Sequence, residues 1–452
     1  TGSGMIYFAR NIGSTDIFVT FIAKIPVAMD IRELERVLLD QKEELEVLRT
    51  RRFCHRMEER LIDLSSNLAQ VVIGVRRSGK SILCFNALEE AKVDYAYVNF
   101  DDENLYDLLV KDMNDVLQVL YSIYGNFTHL FLDEIQNVEG WHLFVNRMLR
   151  KGVHLLLTGS NSKLLSGELA SHLTGRHHTI ELLPFSFRDW CNYHGVAMAP
   201  LTTKNSGLLM GAFDKYMKQG GFPELLVEHD QTSYIDSLFH NIITQDIQKR
   251  FKVKYIDSLE RVAGHLLNIS PAIIVKEKLQ EQFGFKSHHT LGNYLSYLTQ
   301  TYLICKVAKY SMKSKERVVS EKAYAIDVAF MNKRENALAG ENLGWRLETI
   351  VYLELRRRSK TGGEGIYYFN NGNVEADFIL CQGNKAVGIY QVAYNIEQAK
   401  TRKREINGAV VAAKNTQCDH VYILTDHESE TIICEGVTIR VMPVWEWIIR
   451  EG

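Results

Sequence analysis

Proline is scarce in this 452-residue chain, at 6 residues, and charge of either sign barely prevails, with a formal net charge of -2. So small a net charge exerts no global pull on nucleic acid, and any such contact has to come from local basic patches. The seven cysteines (Cys54, Cys84, Cys191, Cys305, Cys381, Cys418 and Cys434) are odd in number, scattered and without a CxxC pair. That spacing argues against a disulfide framework and a zinc site, and makes a reducing cytoplasm the default expectation. The apolar run from Ile17 to Ala28 is too short to span a membrane and is broken by Lys24 and Pro26. No membrane role is expected.

What is present is the material of several cores. Hydrophobic residues at 46% and charged residues at 24% describe a folded globular chain, and the length suggests more than one domain. "TGSG" before Met5 reads as an expression-derived scar, and "MDIRELERVLLDQKEELEVLRTRR" from Met29 reads as a charged amphipathic helix. Residues 1–28 are therefore taken as an extension or an expression-derived segment.

The strongest signal is "QVVIGVRRSGKSILCFNAL", Gln70 to Leu88. An apolar strand runs into Gly74-x-x-x-x-Gly79-Lys80-Ser81 and on into a helical pattern, the setting that a P-loop requires. Glycines there let backbone N–H groups turn inward around phosphate oxygens at a helix N-terminus. Lys80 is expected to bridge the β- and γ-phosphates and Ser81 to hold Mg2+. The nucleotide-contact set is Gly74, Arg77, Ser78, Gly79, Lys80, Ser81, Ile82 and Ser160. Two readings stand for Arg76 and Arg77, contact with nucleotide or pairing with neighbouring acids.

"THLFLDEIQNVEGW" places Asp133-Glu134 at the end of a buried strand about 50 residues after the loop. One carboxylate there would help hold magnesium and the next would polarise an attacking water. "GVHLLLTGSNSKLL" ends a further strand in polar residues, so Ser160 or Asn161 stands as a γ-phosphate sensor, or equally as a helix N-cap. Strands alternating with helices imply a parallel sheet with its ligand at the strand C-terminal ends.

"GVRRSGKS", "LFLDEIQNVEGW", "LLLTGSNSKLLSGELASHLTGRHHTIELLPFSFRDW" and "GGFPE" together resemble the AAA-type ATPases of bacteria and archaea that carry a C-terminal domain of formerly unknown function. The resemblance runs from about Leu34 onward. It implies that "LTGR" supplies Arg176 as an arginine finger or sensor; a solvated turn residue is the alternative.

The pattern changes at "GGFPELL", where Gly220, Gly221 and Pro223 read as a domain joint more readily than as a nucleotide contact. Ser258 to Asp327 then gives three helices and a basic hairpin, the order of a winged helix-turn-helix. His288, His289, Thr290 and Asn293 would face a major groove, and Lys306, Lys309, Lys313, Lys315 and Arg317 would meet phosphates. The same module also serves as a protein contact.

From Leu343 the chain offers a helix, three strands, a basic helix and another strand, an order similar to the restriction-endonuclease-like core with the PD-(D/E)XK signature. In that resemblance Glu348 matches the helix acid and Asp377 the strand acid, with Glu375 on the same face. At the Glu-x-Lys position stand Gln391-Val392-Ala393, so one acid is neutralised and the lysine is missing. Lys385, Lys400, Lys403 and Arg404 are candidates for a migrated cation, although a plain basic helix face explains the last three. Glu348, Asp377 and Gln391 are read as a degenerate nuclease-like cluster.

The expected fold class is α/β. An AAA-type P-loop ATPase domain (29–219) is followed by a helical, winged-helix region (220–342) and a small nuclease-like domain (343–452). The expected function is Mg2+-dependent ATP hydrolysis, with Lys80, Glu134 and Arg176 catalytic and the metal on Ser81 and Asp133. It would be coupled to DNA or a protein partner, in a cytoplasmic protein that can form oligomers. A nucleotide-gated scaffold and an ATP-gated nuclease are the rivals.

Overall fold

Runs such as Ala69–Ile73 and His129–Asp133 are buried along their whole length, a pattern that suits only strands covered on both faces. The computed structural model describes residues 30–160, 173, 175–311, 320–332, 334 and 342–451. Residues 1–28, Asn161, Lys313, Lys315 and Arg317 lie outside the described residues. Five strands, β1 (Ala69–Ile73), β2 (Tyr95–Asn99), β3 (His129–Asp133), β4 (His154–Gly159) and β5 (His177–Glu181), form one sheet in the order β2-β3-β4-β1-β5. Every pairing in it is parallel. Helices α1 (Ile31–Arg49), α2 (Lys80–Ala91), α3 (Met113–Tyr124) and α4 (Trp141–Arg150) cover it.

Helix α1 starts where Asp30 accepts the Arg32 N–H at 3.1 Å, and it buries Leu34, Val37, Leu38, Gln41 and Leu45 along one stripe. Its Gln41 amide accepts the Asn99 N–H at 2.9 Å and donates to the Asn99 carbonyl at 3.1 Å. The helix is thereby tied to the end of β2. After β5 come α5 (Phe187–His194) and α6 (Thr203–Gln219).

Gly220 and Gly221 form a joint. A Cβ on Gly220 would stand 2.2 Å from Asp327 Oδ1, and one on Gly221 2.3 Å from the Phe185 carbonyl oxygen. The buried Asp327 carboxylate accepts the Gly221 N–H at 2.9 Å and the Ala329 N–H at 2.8 Å. Beyond the joint, α7 (Gln231–Asn241) continues into a π-helical segment (Ile242–Lys249). Then follow α8 (Ile256–Ile269), β6 (Ala272–Ile273), α9 (Lys276–Phe283), α10 (His288–Gln300), β7 (Ile304–Lys309), β8 (Glu321–Ala325) and α11 (Ala329–Asn332).

The last stretch holds α12 (Leu343–Gly362), β9 (Gly365–Asn370), β10 (Glu375–Gln382), β11 (Lys385–Val392), α13 (Ala399–Thr416), β12 (Val421–Thr425), β13 (Glu430–Cys434), β14 (Val437–Pro443) and α14 (Val444–Glu451). The regions on either side of position 342/343 contribute strands to one sheet. Strand β7 pairs in parallel with β9, so the hairpin and the last stretch share nine strands in the order β13-β14-β12-β11-β10-β9-β7-β8-β6. The physical reason is the open edge of β7, whose unpaired backbone groups β9 satisfies.

Helix α12 also reaches back to the first sheet. Arg356 forks onto Glu181 at 2.7 and 2.9 Å, and Arg357 donates to the Pro184 carbonyl at 2.7 Å. Among the described residues, no helix is long and apolar enough to cross a membrane.

Candidate nucleotide site and a buried ion cluster

The loop Gly74 to Ser81 leaves the C-terminal end of β1 and enters α2. Gly74 is needed because the chain passes under Leu182, whose carbonyl oxygen would lie 2.1 Å from a Cβ. Gly79 caps the helix at φ 92°, a left-handed conformation that costs glycine little. Arg77 shares that region at φ 66°. The amides of Lys80, Ser81 and Ile82 open the helix and, like all first-turn N–H groups, lack an intrahelical acceptor. Ser78 is fully buried, and its hydroxyl has no partner among the described residues. Such an arrangement can cradle an anion.

Lys80 is 4% exposed and donates to the Val75 carbonyl at 3.1 Å, with its ammonium 3.6 Å from Glu134 Oε1. The Ser81 hydroxyl donates to Asp133 Oδ1 at 2.9 Å. Burial, together with the neighbouring Glu134 charge, pushes the Asp133 carboxyl up to about 6. Glu134 sits at φ 50°, a left-handed conformation strained for a glutamate. Burial opposes its charge, yet Lys80, the Gln136 amide and Arg76 hold its carboxyl below the usual glutamate range.

Thr158 explains how the pair is held. Its hydroxyl donates to Asp133 and accepts the Glu134 N–H at 2.9 Å, while the Ser160 N–H reaches Glu134 Oε2 at 3.2 Å. The end of β4 thus orients both acids. Sequence reading stopped at Ser160 and missed Thr158, although Leu132 pairs with Leu157 and the next residues along the two strands are Asp133 and Thr158. Gln136, which donates to Glu134, was missed as well. The hard oxygen donors of Ser81 and Asp133 beside this cradle fit a magnesium ion.

The arginines divide. Arg77 pairs with Glu224 at 2.9 Å, and Arg76 grips Asp246 through two nitrogens at 3.0 and 3.1 Å. Both therefore take the acid-pairing arrangement in this structure. Arg76, Gln136, Asn137, Ser160 and Asp246 line one cavity of about 1080 Å³ beside the loop. Arg176 stands apart from this loop. It is exposed just before β5, and the adjacent His177 pairs with Ala69 at the start of β1. The loop leaves the other end of that strand, about 16 Å away at roughly 3.3 Å per residue. Arg176 does not face this chain's own loop.

The second cluster contains a lysine brought by a strand from outside the last stretch. Lys322 on β8 places its ammonium 2.8 Å from Glu348, 3.1 Å from Glu375 and 3.5 Å from Asp377. The Tyr324 hydroxyl donates to Glu348 at 2.7 Å. Gln391 accepts the Asp377 N–H at 3.2 Å and donates to the buried Glu405, which Arg404 also contacts. Asp377 accepts the Val392 N–H at 2.9 Å. Burial, and then the Glu348 charge, raise the Asp377 carboxyl well above its ordinary value. Burial works against the Lys322 ammonium, but Glu348, Asp377 and Glu375 keep it charged. Lys385, Lys400 and Lys403 stay exposed. No spacing rule finds Lys322, because its proximity depends on the β7–β9 junction; the one hint is a lone lysine in the buried strand "EKAYA".

A family model for an AAA domain matches residues 66–191, and one for a domain of unknown function (DUF8612) matches residues 210–340. The uncharacterized protein MJ1544 of Methanocaldococcus jannaschii is 31% identical over 432 residues, spanning 91% of this chain and 94% of that protein. An uncharacterized protein of Haemophilus influenzae is 30% identical over 352 residues, spanning 74% of this chain and 84% of that protein. Among solved structures, the Thermotoga maritima RuvB Holliday junction branch migration motor is 16% identical, with a TM-score of 0.27 over 60% of this chain and 89% of its own. Cdc6p from Pyrobaculum aerophilum is 12% identical, with a TM-score of 0.23 over 70% of this chain and 94% of its own. Superpositions this loose carry no functional argument.

Proposed function

The chain belongs to one family with the Methanocaldococcus jannaschii protein MJ1544 and its Haemophilus influenzae relative, and from that premise and its AAA domain we propose that it is a magnesium-dependent ATPase. The observation that carries this reading is the convergence of Lys80, Glu134 and the Ser81–Asp133 pair at one glycine-built loop. Magnesium, held by Ser81 and Asp133, would neutralise charge on the β- and γ-phosphates. Loop amides and Lys80 bind the phosphates, and Lys80 takes up charge developing on the leaving ADP oxygen. Glu134, kept ionised by its surroundings, aligns a water. The water oxygen attacks the γ-phosphorus as the bond to ADP breaks, and its proton passes to Glu134 or to the departing phosphate.

The test is steady-state ATP hydrolysis with equilibrium nucleotide binding. Lys80→Ala is expected to abolish binding, and Glu134→Gln to bind nucleotide while turnover falls about 10²–10⁴-fold. Wild-type protein that hydrolyses no ATP, with Lys80→Ala binding unchanged, would defeat the reading.

The output side is proposed as DNA or partner binding through the winged-helix arrangement of α8–α10, β7 and β8. His288, His289 and Asn293 lie exposed on α10, which supports a groove contact. Lys306 is committed to Glu321 at 3.0 Å and is a poorer phosphate contact than its sequence position suggested. The nuclease-like stretch is proposed as a non-cutting platform, because Lys322 already fills the space among its acids. Duplex DNA retention with and without a nonhydrolysable ATP analogue tests the coupling. Metal-dependent nicking lost in Asp377→Ala would reverse the last point. Action of Arg176 on a neighbouring copy's nucleotide is one reading of that residue beside a solvated turn, and Arg176→Ala turnover that no longer rises with protein concentration would support it.

A further inference from the structure

The nucleotide loop of this chain carries two arginines, and each is held by an acid from beyond the Gly220–Gly221 joint. Arg77 points outward to Glu224 and is 58% exposed. Arg76 points inward: its side chain is 24% exposed, and its guanidinium forks onto Asp246 at 3.0 and 3.1 Å and touches Asp101 at 3.4 Å. It lines the cavity that also contains Ser160 and Gln136, beside the Glu134 carboxylate. Asp246 sits within the π-helical segment Ile242–Lys249, a rare geometry often found at functional positions.

Charge decides what such a pair does when a nucleotide arrives. Around the loop, Asp101, Asp133, Glu134 and Asp246 outnumber Lys80 and Arg76. A triphosphate adds several more negative charges, so beyond magnesium, and Lys249 and Arg250 on the cavity wall, it favours recruiting the loop cations that carboxylates now occupy. A terminal phosphate matches the guanidinium fork as well as a carboxylate does and carries more charge. Lys80 exchanges Glu134 and Val75 for phosphate; Arg76 stands four residues earlier on the same loop. Arg176, exposed at the far end of β1 and β5, does not supply this charge within the chain.

We propose that Arg76 is a catalytic cation of the phosphoryl transfer, and that Asp246 is the anion occupying it until a γ-phosphate displaces it. The proposal rests on the ATPase reading above. It adds a signal: ADP, lacking the γ-phosphate, leaves the Arg76–Asp246 pair closed, whereas ATP opens it. The segment released joins α7 to α8, the first helix of the three-helix module, so nucleotide state reaches that module through one ion pair.

Three variants test it in the full chain: Arg76→Ala, Asp246→Asn and the double Arg76→Ala/Asp246→Asn. The double removes both charges together and guards against an unpaired buried carboxylate unfolding the single variant. Single-turnover hydrolysis is expected to fall about 10²–10³-fold in Arg76→Ala and in the double variant, the loss typical of one preorganised transition-state donor. Their affinity for a fluorescent ADP should stay within about threefold. Asp246→Asn should tighten a nonhydrolysable ATP analogue about tenfold while leaving ADP unchanged, because the competing anion is gone. In wild type, the ATP analogue but not ADP should raise hydrogen exchange in residues 242–249.

Unchanged turnover in the double variant would overturn the proposal, as would an Asp246→Asn effect equal for ATP and ADP. If wild type hydrolyses ATP and Lys80→Ala abolishes binding, such results sink only the role of Arg76 and Asp246. If wild type neither binds nor hydrolyses ATP, both readings fall together.

Discussion

Replacing Lys322 by alanine removes the ammonium that, among the described residues, contacts Glu348, Glu375 and Asp377. Glu348 and Asp377 have side chains only 10% exposed, so water cannot take over the lost contact. Breaking a buried pair from one side costs about 3–5 kcal/mol, because the remaining charge stays desolvated. The expected loss lies in that range, with partly exposed Glu375 adding little. The pH dependence has a definite sign. Asp377 already holds its proton more tightly in the folded chain than at its ordinary value, through burial and Glu348; without Lys322 it holds it more tightly still. A folded state that binds more protons than the unfolded one loses stability as pH rises from about 4 to its raised value. The Lys322→Ala deficit is therefore largest near pH 8 and shrinks toward pH 5. Thermal unfolding across that range, with hydrogen exchange on residues 321–325 and 375–382, measures it. A triple variant, Lys322→Met with Glu348→Gln and Asp377→Asn, should recover most of the loss by removing the charges together. A variant that melts with wild type at pH 8, or whose deficit deepens as pH falls, would refute the reasoning.

Gly74→Ala should lose nucleotide binding by at least tenfold in equilibrium titration, because its Cβ would fall 2.1 Å from the Leu182 carbonyl oxygen and force the loop away from β5. Arg356→Ala leaves Glu181, whose side chain is 4% exposed, with only the longer Lys360 contact at 3.8 Å, and should cost up to about 3–5 kcal/mol in urea unfolding. Arg356→Lys restores charge but not the two-point fork, so it should recover only part of that loss.

The nucleotide site was legible because its parts are local or adjacent. Gly74 to Ser81 must be contiguous to form the loop, and Asp133-Glu134 must follow an apolar strand to reach its end. The positions of the two loop arginines were not legible, since Asp246 lies 170 residues from Arg76 and no periodicity links them. The placement of Arg176 was hidden for a related reason. "LTGR" suggests a role, but the end of the sheet on which it falls depends on parallel pairing of β5 with β1. In the last stretch Gln391 itself was plain, while its partner Glu405 and the ammonium of Lys322 were hidden by distance along the chain.

By itself the sequence determined those features that follow from short-range stereochemistry. These are a strand-loop-helix with glycines where side chains cannot fit, an acidic pair closing a buried strand, and three helices leading into a hairpin. Tertiary structure alone decided which charges meet. The union of β7 with β9 carried Lys322 into an acidic cluster, and the turn through the Gly220–Gly221 joint laid Asp246 on the nucleotide loop. Coulomb attraction acts through space rather than along the chain, and burial magnifies it, so the pairs that govern this protein took shape only when distant elements packed.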